Sequence, residues 1–472
     1  MPELAAIAKS PPPPRRLILA TACLGAFLAT LDTSIVNIAL PQMAREFQSS
    51  LTQISWVMQV YLLANVAFLL STGRLGDMLP PGRLFLAGLT VFALGSALCG
   101  FSPGLAWMVA SRAFQGVGAS LMLGVAPKLI TVTFREGERG LPLGLFSTAF
   151  ATGISVGAPL GGFITAYWGW PYIFFIKLPV CLLALLVGLR PLKSLAAAQH
   201  WERRAFDLGG SLCLALTLAG FILALTWARD SGWGSPWTLI ALAVAGGAGA
   251  ALWWAERRHP QPLLHPDLWR RWPFVAGALA VLLTFTPVMG TFFLLPFFLD
   301  QIYHYLPQQA GLLLAVVSFT NALVSPLGGY LADRLSNLLI LRIGSLLILA
   351  GLISLQFTTL ATTTMELVWR FALLGLGFGL FQAPNLNEVL KGVGQEFMGL
   401  AASANAVLKN LGALLGITLM LLAFAWFNQH QVCLKAGTCL DLTPFQRAFA
   451  LAAVIAVANL LLNLLPRKPQ RG

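Results

Sequence analysis

Several ionisable residues lie within predicted membrane-spanning stretches, among them Asp32, Arg112, Lys177 and Glu388. Residue types of this kind in such surroundings suit the binding and release of protons. Burial disfavours the charged form of a carboxyl group, so Asp32 can hold a proton and release it when water reaches the side chain. Arg112 keeps its charge and can promote that release when the two side chains approach. The alternatives are that Asp32 and Arg112 are purely structural and that Glu388 lies at the membrane interface.

The composition places these residues in a membrane. Of the 472 residues, 57% are hydrophobic and 10% are charged, whereas an ordinary globular domain carries about 25% charged residues. A helix of roughly 20 apolar residues crosses the hydrocarbon of a bilayer. Windows of that length predict an all-α membrane protein with fourteen transmembrane helices, near residues 17–40, 52–72, 83–101, 104–127, 140–166, 171–190, 208–228, 236–254, 273–299, 309–332, 338–357, 364–390, 398–426 and 446–465.

Lysine and arginine are distributed unevenly between the predicted loops. If the amino terminus is cytoplasmic, most of the 30 Lys and Arg residues fall in cytoplasmic loops and tails. The opposite side receives Arg45, Arg229, Lys435 and Arg447. This asymmetry follows the positive-inside rule and predicts that both termini are cytoplasmic. We expect a multi-pass protein of a bacterial inner membrane, whose net charge of +13 reflects contact with lipid and not with nucleic acid.

The sequence contains an internal repeat. GRLGDML at 73–79 recurs as GYLADRL at 329–335, and FQGVGA at 114–119 has a looser echo in LLGLGF at 373–378. The repeat predicts two related six-helix bundles with an inserted pair of helices between them, a 6 + 2 + 6 arrangement typical of secondary transporters. The predicted domains are a cytoplasmic tail at 1–16, bundles at 17–190 and 273–465, a linker with two added helices at 191–272, and a cytoplasmic tail at 466–472.

The first span carries polar residues on two sides. On a helical wheel at about 100° per residue, Thr33 and Asn37 fall within about 60° of Thr30, while Asp32 lies near 200°. Such a helix is expected to be enclosed by protein and a wet cavity. Lys177 could face a substrate there or extend toward the membrane surface. The candidate substrate-cavity residues are Thr33, Asn37, Gln115, Lys177 and Asn385.

Four motifs follow one another in the first half of the chain: LDTSIVNIALP (31–41), GRLGDMLPPGR (73–83), SRAFQGVGAS (111–120) and GISVGAPLGG (153–162). Together they resemble the motifs of the major facilitator superfamily, in its fourteen-spanning branch of drug:proton antiporters. The resemblance implies the major facilitator fold, with two halves related by a pseudo-twofold axis. It also implies a proton-coupled exporter of small amphipathic or lipophilic compounds, with proton coupling at Asp32, Arg112 and Glu388.

The resemblance implies two mechanical elements as well. The fifth-span motif suggests a hinge between the halves, although glycines at four-residue spacing also suit plain helix packing. The hinge residues are Gly153, Gly157, Pro159, Gly161 and Gly162. The loop motif implies a conformational latch, which is expected to be weakened because Met78 stands where a basic residue is usual. The latch residues are Asp77 and Arg83, echoed by Asp333 and Arg334.

Motifs for other kinds of chemistry are absent from the sequence. It contains no GxxxxGK[ST] phosphate loop, no HExxH and no CxxC, so we expect neither an enzyme nor a cofactor or metal site. Cys433 and Cys439 share the last predicted outer loop and could form a disulfide in an oxidising compartment. The expected partners are a small-molecule substrate, protons and membrane lipid, and the chain is expected to act as a monomer.

Two other functions compete with multidrug export. The same scaffold could export or import one metabolite, such as an organic anion, a peptide or a siderophore. A non-transporting receptor or assembly subunit is the alternative from another class of protein.

Overall fold

The structure is a computed structural model that describes residues 14–197, 208–258, 269–391, 393, 398–429 and 442–465. The predicted disulfide between Cys433 and Cys439 lies outside the described residues. In the described part the long elements are α-helices: α1 Arg15–Glu46, α2 Leu51–Met78, α3 Pro81–Gly100, α4 Leu105–Thr133, α5 Gly140–Tyr167, α6 Lys177–Ala197, α7 Leu208–Ser231, α8 Pro236–Arg258, α9 Trp272–Tyr303, α10 Pro307–Arg334, α11 Asn337–Gln356, α12 Thr364–Lys391, α13 Met398–Gln429 and α14 Thr443–Leu464.

Most of these helices are long and apolar enough to cross a membrane. Thirteen segments of the described helices meet that condition, whereas the apolar segment within α7 is shorter, Leu212–Ala228. The predicted sixth span is divided, because a separate turn at Tyr172–Phe175 comes before α6. The chain is therefore an all-helical, multi-pass membrane protein, and the count of fourteen spans remains a prediction.

Local sequence explains where several helices begin. Pro81 and Pro307 occupy the first positions of α3 and α10, where a missing backbone N–H leaves no hydrogen bond unmade. At the start of α2, the hydroxyl of Ser50 accepts from the backbone of Gln53, and the Gln53 side chain accepts from the backbone of Ser50. This reciprocal capping box satisfies two of the N–H groups that a helix leaves free at its start.

The helices form two groups with the same pattern of neighbours. In the amino-terminal group, α1–α6, helix α1 packs against α5, α4 lies against both α2 and α3, and α6 contacts α1 and α3. In the carboxy-terminal group, α9–α14, helix α9 packs against α13, α12 lies against both α10 and α11, and α14 contacts α9 and α11. Helices α7 and α8 pack on each other, and α7 touches α2 and α13.

The glycines of the looser sequence echo make equivalent contacts in the two groups. A methyl group added to Gly116 would lie 2.6 Å from a backbone oxygen of α2, and one added to Gly375 would lie 2.4 Å from a backbone oxygen of α10. Gly118 and Gly377 approach the backbones of α3 and α11 in the same way. Only glycine permits two backbones to come so close, so the repeated letters reflect a repeated helix contact.

Candidate functional site

A cluster of ionisable side chains lies inside the amino-terminal group. Asp32 comes from α1, Arg112 and Gln115 from α4, and Lys177 from the start of α6. One carboxylate oxygen of Asp32 lies 2.5 Å from Nη1 of Arg112. The other accepts hydrogen bonds from Nζ of Lys177 and, at 3.0 Å, from Nε2 of Gln115. None of the three ionisable side chains has exposed surface. We call these four residues the charged cluster.

Helix geometry explains how α1 and α4 supply the cluster. Arg112 and Gln115 are three residues apart and therefore share one face of α4, where Nη1 of Arg112 also donates to Oε1 of Gln115 at 2.7 Å. Asp32 lies on the side of α1 away from Thr30, whose hydroxyl donates to a backbone oxygen of α5 at 2.9 Å. The two polar sides predicted for this helix thus contact different helices.

Arg112 is held by three helices. Its Nε donates to the carbonyl oxygen of Val57 in α2 at 3.0 Å, and its guanidinium carbon lies 4.2 Å from the centre of the Tyr61 ring. Its Nη2 is buried without a hydrogen-bond partner. Because the guanidinium also contacts Asp32, this side chain connects α1, α2 and α4.

Lys177 lies elsewhere than the sequence indicated. The sequence offered a substrate cavity or the membrane surface, but the side chain is fully buried in the charged cluster. Its Nζ lies 4.4 Å from the centre of the Phe174 ring and 5.9 Å from that of Phe92. The physical reason is that Asp32 gives the amino group a hydrogen-bond acceptor and the aromatic rings cover its apolar stem.

The balance of charge in the cluster is uneven. One acidic residue, Asp32, faces two basic residues, Arg112 and Lys177. Nearby opposite charges favour the ionised form of a carboxyl group. The role of Asp32 as the residue that holds the proton stays a prediction, and the structure adds Lys177 as a second basic residue in contact with its carboxyl group.

The predicted cavity residues make contacts with several helices. Asn37 donates to a backbone oxygen of α9 at 2.8 Å, and Asn385 donates to another backbone oxygen of α9 at 3.2 Å. Gln115 and Lys177 are buried in the charged cluster, and Thr33 keeps part of its surface exposed. In this conformation Asn37 and Asn385 therefore connect helices, and Thr33 alone of the five retains access to solvent or substrate.

Glu388 belongs to a separate contact between α11 and α12. Its Oε1 accepts from Nδ2 of Asn337 at 2.9 Å and lies 3.2 Å from Nζ of Lys391. Helix α12 continues without interruption through Pro384 to Lys391. The role of Glu388 as a second proton site remains a prediction.

The glycines of the fifth-span motif mostly face α1. Methyl groups added to Gly153, Gly157 and Gly161 would meet α1 atoms at 2.2–2.7 Å, whereas one added to Gly162 would meet the backbone of α10 at 2.4 Å. Pro159 lies within an uninterrupted α5. Three of the glycines thus bring two helices of one group together, and Gly162 lies between the groups. The hinge remains a prediction.

The latch residues are described only in part. Arg83 is exposed at the start of α3, and the guanidinium of Arg334 lies 4.5 Å from the centre of the Tyr330 ring at the end of α10. The side chains of Asp77 and Asp333 lie outside the described part of the structure. The latch therefore stays a prediction.

The structure shows contacts between the two groups of helices that the sequence did not predict. Nη1 of Arg45 lies 2.6 Å from Oδ2 of Asp300, and the hydroxyl of Ser155 in α5 donates to a backbone oxygen of α10 at 3.2 Å. Arg45 and Asp300 are 255 residues apart, close to the spacing of the sequence repeat. They are thus opposite charges at equivalent ends of α1 and α9, a signal that comparing the two halves residue by residue could have shown.

Comparison with known proteins identifies the family. The profile described as Major Facilitator Superfamily matches residues 22–417. The chain belongs to the major facilitator superfamily. Its four motifs, its repeated helix contacts and its buried charges are therefore features of a transporter of that superfamily.

Several curated members are similar over most of the chain. The riboflavin transporter RibZ of Clostridioides difficile is 28% identical over 95% of this chain and 96% of its own length. The multidrug resistance protein Stp of Mycobacterium tuberculosis is 29% identical over 86% of this chain and 75% of its own. The tetracenomycin C resistance and export protein of Streptomyces glaucescens is 30% identical over 85% and 74%.

Proposed function

We propose that this transporter is an antiporter that exports small amphipathic or lipophilic compounds in exchange for protons. The observation that carries the proposal is the charged cluster, in which groups able to exchange a proton are wholly buried among transmembrane helices. Ionisable residues inside a membrane are costly and are typical of proton or substrate pathways. Relatives named for multidrug resistance and for tetracenomycin C export support the direction of transport.

We further propose the arrangement that the sequence repeat predicts. Two six-helix bundles, 17–190 and 273–465, carry an inserted pair of helices within 191–272, which gives fourteen spans in the inner membrane. The matching neighbours of α1–α6 and α9–α14 support a pseudo-twofold relation between the bundles. The protein would act as a monomer, with protons, lipid and a small substrate as its partners.

With both termini in the cytoplasm, the described conformation would face inward. Arg45 and Asp300 then lie at the outer surface, and Gly162 and Ser155 contact α10 in the outer half of the membrane. In the transport cycle the bundles would rock about these contacts, with Asp77, Arg83, Asp333 and Arg334 acting as the inner latch. A proton would bind from outside and leave inside.

The energy available from one proton is sufficient for useful export. A charge that moves inward across 100 mV contributes about 2.3 kcal/mol before any pH gradient is counted. Because each 1.36 kcal/mol corresponds to a tenfold ratio, one proton per neutral molecule can support a gradient of about 50-fold.

Transport by the purified protein in proteoliposomes tests this function. A fluorescent lipophilic cation, ethidium, is supplied on one side, and a pH gradient of either sign is imposed. We expect ethidium to move against the direction of the proton gradient and to be accompanied by proton movement reported by a trapped pH dye. Transport along the proton gradient, or transport that ignores its sign, would contradict antiport.

A second candidate is the import or export of one aromatic metabolite. The observation that favours it is the similarity to a riboflavin transporter, which extends over nearly all of both chains. Radiolabelled riboflavin in the same vesicles distinguishes the two functions. Saturable riboflavin uptake that ethidium does not inhibit would favour the metabolite transporter.

A further inference from the structure

We propose that Lys177, and not Asp32, carries the exchangeable proton of the charged cluster. The inference rests on the proposed function, since it names the residue at which proton coupling takes place. Arg112 and Lys177 both contact the carboxylate of Asp32. Arg112 already supplies the single positive charge that the carboxylate needs.

The count of charges leads to Lys177. With all three groups ionised, the cluster holds a net positive charge that has no contact with water. Burying an uncompensated charge costs several kcal/mol. An arginine cannot release its proton in a protein, whereas a buried lysine can. The buried cluster becomes neutral when Lys177 is an uncharged amine beside ionised Asp32 and Arg112.

Among the described residues, no other side chain around Lys177 supplies the missing negative charge. The remaining titratable neighbours are the phenol of Tyr61 and the thiols of Cys99 and Cys181. At their ordinary pKa values these groups are uncharged near neutral pH. Each helix around Lys177 contributes one titratable group. These are Asp32 from α1, Tyr61 from α2, Cys99 from α3, Arg112 from α4 and Cys181 from α6.

The position of Lys177 suits uptake of a proton from one side. It is the first residue of α6, directly after the turn that contains Phe174. The Phe174 ring packs against that of Trp170, whose Nε1 donates to Glu46 at the end of α1 at 2.6 Å. Lys177 is thus linked by two aromatic residues to the end of the bundle that carries the Arg45–Asp300 pair.

Lys177 would bind and release one proton in each transport cycle. When the cluster opens toward the outer side, the amine of Lys177 uses its lone pair to bind a proton from water and becomes an ammonium. While the bundle rocks toward the described conformation, and before the cluster closes to water, one Nζ–H bond breaks, the electron pair stays on nitrogen, and the proton passes to water on the inner side. Asp32 and Arg112 remain ionised throughout and act as positioning residues.

The test compares three replacements of Lys177 in proteoliposomes, with ethidium or riboflavin as the probe, whichever gives proton-coupled flux in the wild type. Lys177→Arg keeps a positive charge beside Asp32 but cannot release a proton, so we expect loss of coupled proton flux. Lys177→Gln should lose it as well. Lys177→His should restore it with a pH profile moved to acid, because the ordinary pKa of His is about 6.5.

Control variants distinguish a residue that carries the proton from one that only supplies a structural charge. Lys409→Gln removes a different intramembrane lysine, which lies 5.5 Å from the Phe285 ring in the carboxy-terminal group, and should keep coupled flux. Size-exclusion profiles and melting temperatures show whether each variant folds. Asp32→Asn removes the carboxylate partner of both basic residues, so its folding is checked first; in folded protein any remaining coupled flux should have its pH profile moved to acid, because the ammonium loses its carboxylate partner.

The outcomes are distinguishable. Coupled proton flux in Lys177→Arg equal to that of the wild type overturns the inference, because a fixed charge would then be enough. Coupling that is lost in Asp32→Asn and kept in Lys177→Gln overturns it too and returns the proton to the carboxyl. If the wild-type protein moves no protons with any probe, the proposed function fails and not this assignment.

Discussion

The two groups of helices contain buried polar clusters at comparable places, and the clusters differ in charge. The charged cluster connects α1 and α6, the first and last helices of its group, through Asp32 and Lys177. In the carboxy-terminal group, Nδ2 of Asn459 in α14 donates to Oγ1 of Thr284 in α9 at 2.9 Å and to Oγ of Ser345 in α11 at 3.1 Å. With Asn463, these residues form what we call the amide cluster.

The difference separates two tasks that buried polar groups can perform. The amide cluster is neutral, its members are buried, and its donors find acceptors within it. Satisfied neutral hydrogen bonds fix the positions of helices. The charged cluster has one uncompensated positive charge when all three ionisable groups are charged, so its free energy depends on whether one of them releases a proton. We infer that the carboxy-terminal group provides a fixed framework and that the amino-terminal group responds to protons.

The largest expected effect comes from breaking the charge balance. Asp32→Ala leaves Arg112 without its buried counter-charge, and removing one partner of a buried pair typically costs about 3–5 kcal/mol. We expect a much lower melting temperature in detergent, or no folded protein. The matched control replaces Arg112 and Lys177 as well, by Met and Leu, and should recover most of the stability without proton coupling. A stable Asp32→Ala protein would contradict this account of the cluster.

The two groups should lose similar stability when a close glycine contact is overpacked, although their buried polar clusters differ in charge. A methyl group on Gly157 would lie 2.5 Å from Cβ of Ser34 in α1, and one on Gly416 would lie 2.1 Å from the Thr286 oxygen in α9. Overpacking typically costs about 1–3 kcal/mol, so Gly157→Val and Gly416→Val should each lower stability by about 3 kcal/mol. Gly246→Val, at a position with open space, is the control. Unequal losses would argue against equivalent packing.

A smaller effect is expected from the amide cluster. Asn459→Ala removes two side-chain hydrogen bonds to buried hydroxyls and one from Asn463, which are worth about 1 kcal/mol each. We expect a loss of about 2–3 kcal/mol in thermal unfolding and an unchanged ratio of protons to substrate in vesicles. A changed ratio would place the amide cluster in the proton pathway and would remove the contrast between the groups.

The smallest effect on stability should come from the ion pair between the groups. The side chains of Arg45 and Asp300 are 58% and 22% exposed, and exposed pairs typically contribute about 0.2–1 kcal/mol. Arg45→Ala should therefore hardly change the melting temperature, but it should increase labelling of a cysteine introduced at Thr33 by a reagent added from outside. Exchanging the two charges should restore the wild-type labelling. Labelling that stays constant in Arg45→Ala would show that the pair does not hold the outer side closed.

The sequence predicted the elements well because hydrophobic length is a local property. Windows of roughly 20 apolar residues located the helices, although α4 and α9 extend beyond the predicted spans 104–127 and 273–299. The break before α6, at Ile176, was not predicted, because residues 171–190 together form one apolar window even though Pro171 and Lys177 flank the break. The echo between FQGVGA and LLGLGF predicted related halves because close helix contacts require glycine at fixed positions.

The site was less predictable because it depends on how helices rotate about their axes. The wheel of the first span separated Asp32 from Thr30 and Asn37, and these sides do contact different helices. It could not indicate that Lys177, 145 residues away, would face Asp32. Nor could the wheel indicate that Asn37 and Asn385 would each donate to the backbone of α9; their place in a substrate cavity stays a prediction.

By itself the sequence determined that this chain is a helical membrane protein with two related halves and a carboxyl group among apolar residues. Those properties follow from composition, span length and repeated glycines, which act within one helix or between adjacent ones. Only the tertiary structure decided which charges meet. The pairing of Asp32 with both Arg112 and Lys177 depends on the packing of three helices, and that packing minimises the free energy of the whole bundle rather than of any one segment.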